Sequence, residues 1–166
     1  MRKAAIILLL ISVIFIGCGR AKVTVEQAMS IARISFDRIF EEVDLDQEHK
    51  LVFYQNDDDL EIGWLDCTRN ICKWIDSIRV ANGSHIVSAR YVRLNDQWPI
   101  FVGQIKDSRV NRVEVRTGEI VYVGNIIPFS ELYRYWFVIP DQPKSLRVEY
   151  KFYQDNEILH RLGGLY

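Results

Sequence analysis

The amino-acid sequence predicts a mainly β protein: an antiparallel β-sandwich or a partly closed barrel, with one N-terminal α-helix packed on it. Two patterns predict this fold class. From residue 50 onward, short apolar segments alternate with turn-forming residues, and no helical periodicity interrupts them. Residues 24–43, in contrast, carry apolar side chains at spacings of three and four, as one face of a helix does.

The helix is predicted over residues 24–43. Thr24, with Gln27 three residues later, fits a capping box at its start. We expect the apolar stripe to pack on a sheet rather than lie on a membrane surface, because the opposite face of the helix mixes acidic and basic residues. The stripe consists of Val25, Ala28, Met29, Ala32, Phe36, Ile39, Phe40 and Val43.

Short strands follow the helix. Asn82-Gly83 is the strongest hairpin signal, since these residues suit the positive φ angles of a type I′ turn, and Thr117-Gly118 and Asp155-Asn156 mark two other turns. The last long strand alternates between apolar residues and Arg147, Glu149 and Lys151, which predicts one solvated face. The predicted strands are 51–55, 60–66, 72–80, 85–94, 99–106, 110–116, 119–123, 132–139, 146–153 and 157–160.

The first residues have the pattern of an export signal. Residues 4–16 form an apolar run of thirteen positions that follows Arg2 and Lys3. A membrane-spanning helix needs roughly 20 apolar residues, whereas a basic start and a shorter apolar run are typical of a secretory signal. We therefore expect residues 1–17 to direct export and to be removed.

The segment Phe15-Ile16-Gly17-Cys18 resembles the lipobox of bacterial lipoproteins, with Gly17 and Cys18 at the motif positions. The resemblance implies diacylglyceryl attachment to Cys18, cleavage before it and anchoring to the membrane through the lipid. It also implies an extracytoplasmic location, on the plasma membrane of a Gram-positive cell or the outer membrane of a Gram-negative one. An ordinary cleaved signal peptide and an uncleaved helix are the alternatives. Residues 18–23 would then be a tether, and residues 24–166 a single domain.

The net charge of the chain limits the kinds of partner it is expected to bind. Without residues 1–17 the chain keeps 149 residues, of which 19 are basic and 22 acidic, for a net charge of −3. Nucleic acid is therefore not an expected partner. Residues 41–66 carry ten acids and one base, and residues 67–116 carry nine bases and four acids. These regions either face different partners or neutralise each other on folding.

Cys67 and Cys72 are predicted to form a disulfide bond. They lie at the ends of a four-residue turn between two predicted strands, and export would place them in an oxidising compartment. Free thiols and a metal or redox role are the alternatives. A redox pair usually has two intervening residues, and a zinc site needs two further ligands.

No catalytic motif is found in the sequence, so we expect neither enzyme activity nor a cofactor. Asp57, Asp58 and Asp59 are weak candidates for calcium ligands, because calcium prefers carboxylate oxygens. An exposed acidic turn is the alternative reading of these three residues. No metal site is predicted.

Trp98, Tyr133 and Tyr135 are the candidate ligand-binding residues, on which cell-wall sugars would stack. Core packing is the alternative, because residues 132–139 carry large apolar groups on both faces, as a strand buried on both sides does. Trp98 precedes Pro99 at a predicted strand start and is the best candidate for exposure.

Together these patterns predict a lipid-anchored binding or assembly module at the bacterial cell envelope, with an envelope protein or a cell-wall glycan as partner. An envelope hydrolase with a dispersed site and an inhibitor or immunity lipoprotein are the alternatives. The layout is also similar to that of small uncharacterised lipoproteins of Gram-positive spore-forming bacteria, through Gly63-Trp64 and Lys73-Trp74. This second resemblance implies no active-site residues.

Overall fold

The computed structural model describes residues 23–94, 98–141 and 147–165. The predicted signal segment (residues 1–17), Cys18 and the tether as far as residue 22 lie outside these residues. Within them the chain forms one α-helix, α1 (Val25–Ile31), and twelve strands. The strands are β1 (Arg38–Asp44), β2 (His49–Asn56), β3 (Asp59–Asp66), β4 (Lys73–Val80), β5 (Arg90–Leu94), β6 (Trp98–Ile105), β7 (Arg112–Thr117), β8 (Ile120–Val123), β9 (Asn125–Pro128), β10 (Arg134–Val138), β11 (Arg147–Gln154) and β12 (Glu157–Leu165).

The strands form three four-stranded antiparallel sheets. Sheet A is a meander in the order β1-β2-β3-β4, sheet B has the order β5-β6-β10-β9, and sheet C has the order β12-β11-β7-β8. Each of these sheets keeps two edge strands, so none of the described sheets closes on itself. The prediction of a mainly β, sandwich-like fold with one helix is confirmed, and the barrel alternative is not what forms.

Sheet B lies between sheets A and C and is buried on both faces. Successive residues of β10 show this, because Tyr135 and Phe137 pack toward sheet A whereas Trp136 and Val138 pack toward sheet C. Across the first interface, Phe53 of β2 stacks on Phe137 with ring centroids 4.0 Å apart. The core-packing interpretation of this strand, apolar on both sides because it is central, is confirmed.

Helix α1 covers the outer face of sheet A. The predicted capping box is present, because the Gln27 N–H donates to Thr24 Oγ1 and the Thr24 N–H donates to Gln27 Oε1. No helix in the described ranges is both long and apolar enough to cross a membrane. The contact joins Val25, Ala28 and Met29 of the helix to Val52, Tyr54 and Leu65 of the sheet.

The helix ends at Ile31, so the prediction of a helix over residues 24–43 is wrong in its second half. Arg33 takes a left-handed backbone conformation (φ 59°) just beyond the helix, and Arg38–Asp44 form β1. The apolar residues of this segment resembled one helical stripe, but in the structure they pack on the two opposite faces of sheet A. Several of them are β-branched or aromatic, and such residues favour a strand. Ile34, Phe36 and Ile39 join the cluster under α1, whereas Phe40 and Val43 pack toward sheet B.

Two of the three predicted turns are confirmed. Gly118 (φ 63°) and Asp155 (φ 53°) take the left-handed conformation in the turns after β7 and β11. Asn82-Gly83, in contrast, forms no hairpin, because it lies in the crossover from β4 of sheet A to β5 of sheet B. Gln104 Nε2 donates to Asn82 Oδ1 (2.8 Å) and Lys106 Nζ donates to Gly83 O (2.6 Å). Tertiary contacts therefore set the path of this segment.

The strands differ most from the sequence pattern in three further places. β9 was not predicted, since its four residues are too few to show an alternation. The predicted strand 85–94 begins only at Arg90, and Val87 makes an isolated bridge to Ile105 before it. β12 continues to Leu165 instead of ending at residue 160.

Gly103 lets the crossover lie directly on β6. A Cβ atom at this position would be 1.9 Å from Ser88 O and 2.6 Å from Trp136 Nε1. Trp136 Nε1 also donates to Ser88 O (3.1 Å), so the glycine, the indole and the backbone form one close contact. A side chain at residue 103 would force the backbone or the buried indole to move.

We expect Gly103→Ala to lower the free energy of unfolding by about 1–3 kcal/mol, because overpacking at a buried contact costs this much. Gly83→Ala, in the same crossover, is the control: nothing lies within 4 Å of a Cβ there. Its effect should stay within about 0.5 kcal/mol. Urea unfolding followed by tryptophan fluorescence measures both variants. Equal stability of the Gly103 variant and the wild type would contradict this account of the contact.

Candidate functional site

The predicted disulfide is present. Cys67 follows β3, Cys72 precedes β4, and their sulfur atoms are bonded across a loop that contains a 3-10 turn (Thr68–Asn70). Cys72 is buried in the cluster under α1, and Cys67 packs against that cluster. The Cys67 N–H also donates to Glu48 O in the β1–β2 turn. The bridge therefore holds the β3–β4 hairpin closed beside the helix.

We expect reduction of the Cys67–Cys72 bond to lower the free energy of unfolding by about 2 kcal/mol, the chain-entropy value for so small a loop. Urea unfolding with and without dithiothreitol measures this difference. The double variant Cys67→Ser/Cys72→Ser should unfold at the same urea concentration in both buffers. If oxidised and reduced wild type had identical midpoints, the bridge would not stabilise the fold.

The three candidate ligand-binding aromatics do not form one platform. Tyr135 is fully buried between sheets A and B and donates its hydroxyl to a backbone carbonyl, so its assignment as a ligand-binding residue is wrong. Tyr133 is partly buried and stacks on Phe129, with ring centroids 5.2 Å apart. Trp98 is partly buried as well, and it begins β6 at the opposite end of the sheet. The strand register places it eight residues along β6 from the level of Tyr133, roughly 26 Å at about 3.3 Å per residue.

Asp57 and Asp58 form the turn between β2 and β3, and Asp59 begins β3. Asp57 has a left-handed backbone conformation (φ 55°). Asp58 O accepts from the Tyr133 hydroxyl, and Asp59 Oδ1 accepts from the Asn82 N–H. The turn thus connects sheet A to the crossover and to the loop before β10. Within the described ranges, no group of three or more His, Cys, Asp or Glu is placed to hold a metal ion.

Glu61 is a buried carboxylate on the helix-covered face of sheet A. It accepts hydrogen bonds from the Tyr54 hydroxyl (2.5 Å) and from Asn56 Nδ2 (3.0 Å), and Arg79 Nη2 lies 3.4 Å away. Burial alone raises the pKa of Glu61, but these hydrogen bonds and the Arg79 charge outweigh it, so the pKa lies below its ordinary value. Burial, followed by the bond to Glu61, raises the pKa of Tyr54. The cluster joins three strands around one anion.

Asp107 is the centre of a second carboxylate cluster. Its side chain accepts from Arg109 Nε (3.0 Å) and Nη2 (2.8 Å), and His160 Nε2 lies 2.8 Å from Asp107 Oδ2. The hydrogen bonds with Arg109, and then with His160, hold the pKa of Asp107 well below its ordinary value. Arg134 also donates to the Asp107 carbonyl (2.9 Å). Asp107 therefore ties the loop after β6 to β10 and β12.

Sequence reasoning missed both carboxylate clusters, because each also includes a partner that is distant in the chain. Arg79 is 18 residues from Glu61, and His160 is 53 residues from Asp107. No spacing motif connects residues so far apart. The one available signal is the position of Glu61 between Leu60 and Ile62, where a charge inside an apolar strand needs a partner.

We expect Asp107→Asn to lower the free energy of unfolding at pH 7 by on the order of 1 kcal/mol, a value that allows for solvent around the exposed Arg109. The folded-state pKa of Asp107 lies below its ordinary 3.8. Its stabilisation is therefore complete above about pH 4 and is lost as the pH falls through the folded-state pKa. Urea unfolding from pH 7 to pH 2.5 measures the gap between variant and wild type, which should shrink on acidification.

Asp141→Asn is the control for this measurement, because Asp141 is an exposed aspartate outside the cluster. Its stability should follow that of the wild type at every pH. A gap between Asp107→Asn and wild type that stayed constant down to pH 2.5 would show that the carboxylate charge is not what stabilises the loop.

The outer face of sheet C is basic. Strand register places Arg116 of β7 opposite Glu149 of β11, and Lys151 of β11 opposite Arg161 of β12. Alternate residues of a strand share a face, and the seven charged residues that point outward are five cations and two carboxylates, a net charge of +3. This surface, named the basic face, consists of Arg112, Glu114, Arg116, Arg147, Glu149, Lys151 and Arg161.

A groove of about 870 Å³ crosses one end of the basic face. The exposed Arg116 and Arg147 flank it, and Gly163 contributes no side chain to fill it. Glu149 Oε2 lies between the cations, 3.9 Å from Arg116 Nε and 3.2 Å from Lys151 Nζ. The lining residues are Arg116, Gly118, Arg147, Val148, Glu149, Gly163 and Gly164.

The solvated face of the strand over residues 146–153 was predicted, and its described residues Arg147, Glu149 and Lys151 lie on the basic face. The groove was not predicted, because it depends on β7 and β12 pairing on either side of β11. No family model, curated protein or solved structure matches this chain. The basic face with its groove is the candidate functional site on the strength of its own geometry and charge.

Proposed function

We propose that this chain is a lipid-anchored, extracytoplasmic binding module of the bacterial cell envelope, held by Cys18 and presenting the basic face of sheet C. The single observation that carries the proposal is the order of the layers, which runs α1, sheet A, sheet B, sheet C. This order supports an anchor on one side of the molecule and a binding surface on the other.

The described chain starts on the side of α1. Val25, the first residue of α1, is buried against sheet A. The six residue steps from Cys18 to Thr24 span at most about 21 Å when fully extended. Sheet C lies two sheet spacings beyond sheet A, and α1 adds another layer, so Thr24 is roughly 30 Å from the plane of sheet C. A lipid on Cys18 would hold the α1 side next to the membrane. The basic face would then point away from that membrane.

The disulfide bond supports an extracytoplasmic location. Bonds such as Cys67–Cys72 persist in oxidising spaces outside the cytoplasm and are rare within it. Together with the lipobox-like segment at Cys18, this favours the outer face of the plasma membrane in a Gram-positive cell, or the outer membrane in a Gram-negative one.

Binding is favoured over catalysis by the state of the two carboxylates at the centres of the clusters described above. Glu61 and Asp107 both have lowered pKa values, because hydrogen bonds within the fold hold them as anions. A general acid needs the opposite shift, toward the working pH. An envelope hydrolase and an inhibitor or immunity lipoprotein stay as alternatives that would use the same anchor.

We expect wild-type protein expressed in a lipoprotein-processing bacterium to fractionate with membranes and to have the mass of an acylated chain that starts at Cys18. Cys18→Ser should remain uncleaved or be released without a lipid, because the acceptor thiol is lost. Membrane fractionation and intact-mass spectrometry measure both properties. Cys67→Ser/Cys72→Ser, which leaves Cys18 in place, is the control and should still be acylated. Wild type found without lipid in the medium, or uncleaved in the cytoplasm, would contradict the anchor.

A further inference from the structure

We propose that the basic face binds a phosphodiester-linked polymer of the envelope, with Arg116 and Arg147 holding one phosphate in the groove. The inference rests on the proposed function, in which this face points away from the anchoring membrane. Arginine suits such a ligand, because its planar guanidinium donates paired hydrogen bonds to phosphate oxygens.

Arg116 and Arg147 are placed to act on the same phosphate. Arg116 pairs with Glu149 across β7 and β11, and Arg147 lies two residues earlier than Glu149 on the same face. Diagonal neighbours of this kind have Cβ atoms roughly 7–8 Å apart. Two arginine side chains that start at that separation are long enough to reach the same anion. Both line the groove, and the Arg116 side chain is 48% exposed.

Further cations extend the site along sheet C. Lys151 of β11 and Arg161 of β12 are directly opposite each other. Lys151 follows Arg147 by four residues on β11, so the two residues are roughly 14 Å apart along the strand. Arg112, opposite Tyr153, extends the series to roughly 20 Å. A single phosphate occupies only one of these positions. A chain of phosphates therefore matches the face better than one phosphorylated small molecule.

Glu149 gives the face a gap in its positive charge. Its carboxylate lies opposite Arg116, on the Lys151 side of the groove, and it repels a phosphate at its own position. The same oxygens accept hydrogen bonds from hydroxyl groups. This alternation favours a polymer in which phosphates are separated by neutral, hydroxyl-bearing units.

Gly163 keeps the groove open, although the fold does not require a glycine there. The nearest atom to a Cβ at this position would be Val148 O at 3.8 Å, which is an ordinary contact. Gly163 lies opposite Glu149 on the edge strand β12, so a side chain at residue 163 would project into the groove. A larger residue would therefore obstruct the ligand without disturbing the core.

The charge of sheet A disfavours an anionic polymer on the side of the molecule opposite the basic face. Residues 38–80, which form sheet A and its turns, include eleven acidic and five basic residues, a net charge of −6. A polyanion is repelled from that side and attracted to the net charge of +3 on the basic face. The tether from Cys18, at about 21 Å, is also shorter than the roughly 30 Å needed to lay sheet C on the anchoring membrane. The occupant is thus a polymer beyond the membrane rather than its headgroups.

Titration of the full chain in a non-ionic detergent with fluorescently labelled inorganic polyphosphate tests the inference, with polarisation as the readout. Wild type should bind, and its Kd should rise about tenfold between about 50 and 200 mM salt, as bound counterions are released. Arg116→Gln/Arg147→Gln should raise the Kd by about tenfold or more. Gly163→Leu should also raise it, whereas Glu149→Gln should lower it, because polyphosphate has no neutral gap.

Arg90→Gln is the matched control, since Arg90 is an exposed cation on β5 of sheet B. Its Kd should remain within about twofold of wild type. Circular dichroism and urea midpoints verify that each variant is folded. The inference is overturned if wild type does not bind polyphosphate, or if folded Arg116→Gln/Arg147→Gln binds as wild type does.

Phosphatidylglycerol vesicles provide the second arm of the titration. Binding to vesicles without binding to polyphosphate would overturn the inference in favour of a lipid surface. The localisation experiment keeps the two proposals separate. If the protein is acylated but does not bind polyphosphate, the ligand proposal is wrong and the anchor proposal stands. If Cys18→Ser protein still binds polyphosphate, binding by the groove does not depend on the anchor.

Discussion

Burial of sheet B on both faces is the constraint on which the other layers depend. β6 and β10 carry large apolar side chains on alternate sides, so this sheet is stable only between two further apolar faces. Sheets A and C provide those faces, and each is left with one outer face. Helix α1 packs on part of the outer face of sheet A, whereas sheet C presents charged side chains to solvent. The location of the basic face follows from the burial of sheet B.

Segments that cross between layers are held by polar contacts. The crossover from sheet A to sheet B rests on Gly103 and is bonded through Gln104 and Lys106, while Asp107 joins the loop after β6 to β10 and β12. Hydrogen bonds to charged groups contribute about 1.5–3 kcal/mol each where they are buried. The three sheets thus form a spacer whose layers are connected outside the apolar core as well as through it. Such a spacer suits a module that displays one face at a distance from its anchor.

Local chemistry explains what the sequence predicted correctly. Cys67 and Cys72 are close in the chain, Gly118 and Asp155 each determine their own turn, and the alternation around Glu149 depends on one strand alone. The failures have the opposite cause. The apolar residues of 34–43 have a helix-like spacing, although most of them lie in a strand, because they pack on both faces of sheet A. Asn82-Gly83 forms no hairpin because its hydrogen bonds with Gln104 and Lys106 set its path. The spacing of apolar residues indicates which side chains are buried, but it does not indicate which other element they pack against.

By itself the sequence determined the mainly β class, the short disulfide loop and the solvated face of β11, because each depends on residues within a few positions of one another. The tertiary structure alone decided that three sheets stack, that Tyr135 is enclosed while Trp98 lies at the far end of its sheet, and that five cations share one surface. Arg116 and Glu149 are 33 residues apart and meet only because β7 pairs with β11. Pairing between distant strands is chosen by the burial of the whole core, and no local pattern records it.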